Sequence, residues 1–126
     1  MANKFLKSGA LLATFSVIIG AFGAHLLKPS LIANGNLETF ETAVKYQFYG
    51  SFGLLAIGLL PIIYQQNKYY IWAGVLQIIG TLIFSGSLYL ICITGVKLFG
   101  AVAPIGGTCL IISWLAVFLS LKNNRN

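Results

Sequence analysis

Acid is what this chain most lacks: it has no aspartate, two glutamates and a single histidine. General acid–base catalysis needs positioned titratable pairs, and with no G-x-S-x-G string, metal-ligand spacing or phosphate loop there is little here to build an enzyme from. Cysteine is scarce as well. Cys92 and Cys109 both lie in apolar runs without C-x-x-C spacing, which argues against a disulfide framework or a zinc site, and no cofactor is expected. Both read as small apolar side chains. Charged residues make up only 8% of the chain, against about 25% in ordinary soluble domains. So few charges cannot cover a water-exposed surface.

Hydrophobic residues fill the difference, at 58% of the 126 residues and a mean hydropathy of +0.88. They fall into four stretches of about twenty residues, the length that crosses a hydrocarbon layer of about 30 Å. The spans are predicted at about 8–27, 43–63, 69–93 and 99–121. Together they predict one all-α domain, an up-down four-helix transmembrane bundle, with little left over for a soluble module. The net charge of +6 comes from cations scattered singly between apolar runs. That pattern suits loops beside lipid headgroups and argues against nucleic-acid binding.

Breaks between the runs are short and polar. Residues 28–36, with Pro29, Asn34, Gly35 and Asn36, read as a turn-rich loop after a first span that ends before the proline. Asn36 is a good N-cap, with Glu38 and Glu41 favourably near the positive end of a helix that begins at about Leu37. The first apolar run, behind Lys4 and Lys7, also has some features of a secretory signal cleaved before Ala24. It continues through Leu26 and Leu27, however, and carries small residues at helical spacing, so it reads as a retained span. With four spans both termini share a side. That side carries Lys4, Lys7, Lys68, Lys122 and Arg125 against Lys28, Lys45 and Lys97 opposite, so the positive-inside rule predicts cytoplasmic termini and a multi-pass protein of the cell membrane.

Lipid tails are as apolar as leucine, so membrane helices associate through close backbone approach and a few hydrogen bonds. Each span has a stripe suited to this. The stripes are Ala13, Ser16, Gly20 and Ala24; Ala43, Gln47 and Gly50; Gly74, Gln77, Thr81 and Ser85; and Gly106, Cys109, Ser113, Ala116 and Ser120. They are expected to face the bundle interior, where Gln47 and Gln77 find partners.

In an up-down bundle the end of the first span, the start of the second, the end of the third and the start of the fourth share one leaflet. The chemically unusual residues gather there, in Gly20-Ala-Phe-Gly-Ala-His25, Glu38-Thr-Phe-Glu41-Thr-Ala-Val-Lys45-Tyr-Gln-Phe-Tyr49, Ser85-Gly-Ser-Leu-Tyr89 and Ala103-Pro-Ile-Gly-Gly107-Thr108. Glu41 and Lys45 form an i, i+4 pair in the favourable order, and His25 is within reach of Glu41 or Glu38 across the bundle. Glycine and proline at Gly20, Gly23, Gly86, Pro104, Gly106 and Gly107 either let backbones touch or line a shallow polar pocket under His25. The pocket's neighbours would be Tyr46, Gln47, Ser87, Tyr89 and Thr108.

These four strings, with Thr94-Gly95 after the third, resemble in identity and order those of an uncharacterised family of small bacterial membrane proteins, the YgdD-like or YwdK-like family, known as domain-of-unknown-function family 423. The resemblance covers nearly the whole chain and implies a four-helix membrane protein with no assigned activity. One position departs from it: the family usually carries histidine after the Tyr of its YQxY string, where this chain has Gly50, so a two-histidine site is not expected. The predicted function is a non-enzymatic integral membrane protein whose non-cytoplasmic end binds a membrane lipid, a small amphiphile or a partner protein, with self-association as a further expectation. A small proton-coupled transporter is the alternative, but its usual device, an acid embedded in the first helix, is missing.

Overall fold

The computed structural model describes residues 2–123, and Arg125 lies outside them. Four helical segments are long and apolar enough to cross a membrane: Ala2–Ala33, Leu37–Ile63, Lys68–Thr94 and Lys97–Lys122. The first comprises α1 (Ala2–Phe22), a π-helical turn (Gly23–Leu27) and α2 (Lys28–Ala33). The others are α3 (Leu37–Ile63), α4 (Lys68–Thr94), and a 3-10 turn at Lys97–Ala101 leading into α5 (Ala103–Asn123).

Residues 28–33 are therefore helix, where the sequence predicts loop. Pro29 has no N–H for an i−4 carbonyl, and in a regular helix its ring would crowd the carbonyl of His25. The π turn just before it widens the helix, and Pro29 then falls in the first turn of α2, where no donor is required of it. The true turn shrinks to Asn34-Gly35-Asn36, with Gly35 at φ 72°. Asn36 precedes α3, but its side chain makes no cap hydrogen bond. The working side-chain cap is Asn67, whose Oδ1 accepts from the backbone N–H groups of Tyr69 and Tyr70 at 3.0 and 3.3 Å. Its Nδ2 also donates to the Ser120 carbonyl at 3.1 Å, tying the α3–α4 turn to the end of α5. Gly95, at φ 74°, closes α4 in the left-handed conformation.

Contacts follow chain order. Extensive pairings are α1 with α3, α3 with α4 and α4 with α5, so α3 and α4 form the centre and α1 and α5 the flanks. The pairs run antiparallel. Gly9 meets Ser51 and Leu54 while Gly20 meets Val44; Gly50 meets Thr81 while Ser85 meets Ala43; Gly80 meets Leu110 while Ala73 meets Ser113. The up-down bundle is thus as predicted, and both described ends of the chain lie at one end of it.

Along the bundle axis the interior changes character. At the termini end it is apolar, built from Phe5, Leu54, Ile57, Tyr70, Ala73 and Ala116. In the middle, small and polar residues take over, with Ser16, Gln47, Ser51, Gln77, Thr81, Ser85 and Ser113 all buried. Their hydroxyls and amides bond across helices. Ser85 donates to the Ala43 carbonyl at 2.7 Å. Ser113 shares its one proton between the Ala73 carbonyl and Gln77 Oε1, each at 2.7 Å. The predicted stripes of the second and third spans are buried throughout; in the first, Ala24 is exposed. Replacing Gln77 by leucine removes only one of the two acceptors of Ser113. It should cost about 0.6 to 1.7 kcal/mol in a detergent unfolding titration, and an unchanged midpoint would mean that this contact contributes nothing.

Candidate functional site

At the end away from the termini the π turn, α2, the start of α3 and the end of α4 come together. Two cavities lie there on either side of Phe40. This ring occupies the space a Cβ on Gly23 would take, and it meets Tyr89 edge-on with centroids 5.9 Å apart. Any side chain at position 23 would displace it.

The first cavity is a groove of about 270 Å3 between α1 and α3. Its floor is Gly20, Gly23, Ala24, Phe40 and Val44, and its charged lining is Lys28, Glu41 and Lys45. No ion pair forms among the described residues, so Glu41 neutralises neither lysine by direct contact. Helical spacing explains the grouping: Gly20, Ala24 and Lys28 follow one another at i+4, and Glu41 and Lys45 repeat the interval on α3. Lys28 is the residue that sequence reasoning misses. Its place on this face is legible only if the first span is carried through Pro29 as a helix.

Several predicted site residues stand elsewhere, and the single pocket expected under His25 is not assembled. His25 is exposed on the π turn and lines neither cavity; it makes no hydrogen bond or ion pair with Glu38 or Glu41. Glu38 is exposed in the first turn of α3. Tyr46 turns to the opposite side of α3, against Tyr49 and Phe84, with ring centroids 5.4 and 4.5 Å away. Gln47 is buried and serves as a cross-helix link, donating through Nε2 to the Leu12 carbonyl at 3.2 Å and accepting from the Tyr89 hydroxyl at 2.6 Å. Ser87 and Thr108 bond within their own helices, to the carbonyls of Phe84 and Pro104. Residues three to four positions apart share a helix face, but which neighbour that face meets depends on the rotation of each helix. The sequence does not carry that rotation.

The glycines separate in the same way. Gly106 touches the α4 backbone, where an added Cβ would lie 2.8 Å from Phe84 Cα and 2.9 Å from the Gly80 carbonyl oxygen. At Gly107 the nearest atom would be 3.7 Å away, and at Gly86 nothing lies within 4 Å. Pro104 sits in the first turn of α5, a position that tolerates it, so the helix there is unbroken. At Gly50 the Thr81 side chain fills the space of a Cβ. A bulkier residue there would require α3 and α4 to separate or Thr81 to move.

Comparison with known proteins agrees with the architecture. A family model described as "Protein of unknown function (DUF423)" matches residues 19–107. The chain is 40% identical over 116 residues to a UPF0382 membrane protein of Staphylococcus haemolyticus, covering 92% of this chain and 93% of the relative. It is 35% identical over 116 residues to the UPF0382 membrane protein YwdK of Bacillus subtilis, covering 92% and 94%. A UPF0382 membrane protein of Haemophilus influenzae is 35% identical over 117 residues, covering 93% and 92%. No solved structure matches the chain.

Proposed function

This chain belongs to the family described as protein of unknown function DUF423, and we propose that it is a non-enzymatic protein of the cell membrane that binds an anionic lipid headgroup at its non-cytoplasmic end. The observation that carries this reading is the pair of lysines, Lys28 and Lys45, on one groove with an apolar floor. A phosphate-bearing headgroup has the charge to meet both ammonium groups while its glycerol and upper chain lie on Gly20, Ala24 and Val44. A lysine near anionic lipid contributes about 1 kcal/mol. Glu41 sets a limit of specificity, since it disfavours a second negative charge beside the first. The orientation rests on the five cations of the termini side against three opposite.

Native mass spectrometry with phosphatidylglycerol and phosphatidylcholine tests it. Wild type should retain phosphatidylglycerol preferentially, and Lys28→Gln with Lys45→Gln should weaken that retention about tenfold or more, as the loss of two such contacts implies. His25→Ala, off the groove, should leave it unchanged. Equal retention of the two lipids by wild type, or no loss in the double variant, would end the proposal.

A further inference from the structure

The second cavity, on the other side of Phe40, is larger, at about 480 Å3, and differs in chemistry. Leu31 and Phe40 are its buried walls. Leu27 and Ile93, 43% and 80% exposed, flank it on the outside of the bundle. No charged side chain lines it. Of its polar groups, the Tyr89 hydroxyl is committed to Gln47 at 2.6 Å, and the Cys92 thiol donates weakly to the Asn36 carbonyl at 3.8 Å. That leaves the side chains of Ser30 and Asn34, both exposed, at the rim.

From this arrangement we infer that the cavity is a second binding site, which takes the chain of a neutral single-chain amphiphile of the monoacylglycerol type. The apolar interior suits one hydrocarbon chain, entering sideways from the bilayer past Leu27 and Ile93. Hydroxyl or ester oxygens at the head of that chain meet Ser30 and Asn34, which can donate and accept hydrogen bonds but carry no charge. An ionised head would find no counter-charge at this rim, because the nearby lysines line the other groove. The volume is within the range of small-ligand sites, about 300 to 1,000 Å3. The inference shares with the proposed function only the idea that this end of the protein binds amphiphiles.

The two free cysteines supply the test. In a Cys109→Ser background Cys92 is the only thiol, and in the empty protein it should react with N-ethylmaleimide from inside the cavity. Adding monoolein to the purified protein should produce a one-to-one complex in native mass spectrometry and slow that reaction at least fivefold. Lys28→Gln with Lys45→Gln should leave both results unchanged, and oleate or phosphatidylglycerol should not reproduce them. The inference is overturned if Cys92 does not react in the empty protein, if monoolein does not bind, or if it binds without protecting Cys92. Equal protection by the anionic lipids overturns it too, as does protection that disappears in the lysine variant, because the cavity would then be the tail slot of the headgroup groove. Absence of phosphatidylglycerol selectivity in wild type, with Cys92 protection by monoolein intact, would sink the headgroup proposal alone.

Discussion

Gly106→Ala should destabilise the protein by about 2 to 3 kcal/mol, and Gly107→Ala, one residue on, should be neutral or mildly stabilising. At Gly106 an added methyl would lie 2.9 Å from the Gly80 carbonyl oxygen and 2.8 Å from Phe84 Cα. These are backbone atoms of α4, which cannot turn aside as a rotamer does. The helices must separate, and separation lengthens the nearby Ser113 hydrogen bonds to Ala73 and Gln77, now 2.7 Å. At Gly107 the methyl would meet only the Phe84 ring at 3.7 Å, an ordinary contact. There the change brings the gain in helix propensity of alanine over glycine, about 1 kcal/mol in a helix interior. Unfolding titrations in detergent measure both. Similar midpoints for the two variants would show that α4 and α5 do not approach at Gly106.

Phe5→Ala is the second large effect, expected at about 3 to 4 kcal/mol, the usual cost of truncating a buried phenylalanine. Phe5 is 2% exposed, meets Tyr70 edge-on with centroids 5.6 Å apart, and fills the notch left by Gly74 on α4. Through it α1 reaches beyond α3 to the second central helix. The outward face of the first span is apolar and exposed, with Leu11, Phe15, Val17 and Ile18. Losing Phe5 removes the aromatic contact and leaves a cavity beside Tyr70, whose buried hydroxyl already has no partner. Protease accessibility of the α1 segment and the detergent midpoint should change together. A midpoint within 1 kcal/mol of wild type would mean that α1 is held by α3 alone.

Both predictions turn on residues whose types were visible in the sequence but whose importance was not. Gly106 and Gly107 are neighbours with the same propensity, and only the rotation of α5 decides that the first meets the α4 backbone. Phe5 lies before the predicted start of the first span, between Lys4 and Lys7. The sequence predicts both Gln47 and Tyr89 as residues of the candidate site. They were brought together, but as a structural link and not as a ligand pair.

The first span shows the other kind of miss. Proline ordinarily stops a helix, and the sequence predicts that the first span ends before Pro29. The π turn, which lets the segment continue to Ala33, leaves no composition signature in Gly23-Ala-His25-Leu-Leu27. Without it, Lys28 is a loop cation and not part of a groove. The cavity beside Leu31 and Cys92 was not anticipated for the same reason, since its roof is α2.

What the sequence determined by itself is the number of spans, their alternating direction and the faces on which small and polar residues lie. These follow from local quantities: the apolar length needed to cross lipid, the short polar breaks, and the 3.6-residue period. The tertiary structure alone decided how each helix is turned about its own axis, which glycines touch backbone, and where space is left unfilled. Those depend on the simultaneous fit of three or four surfaces, a many-body packing condition that no single segment encodes.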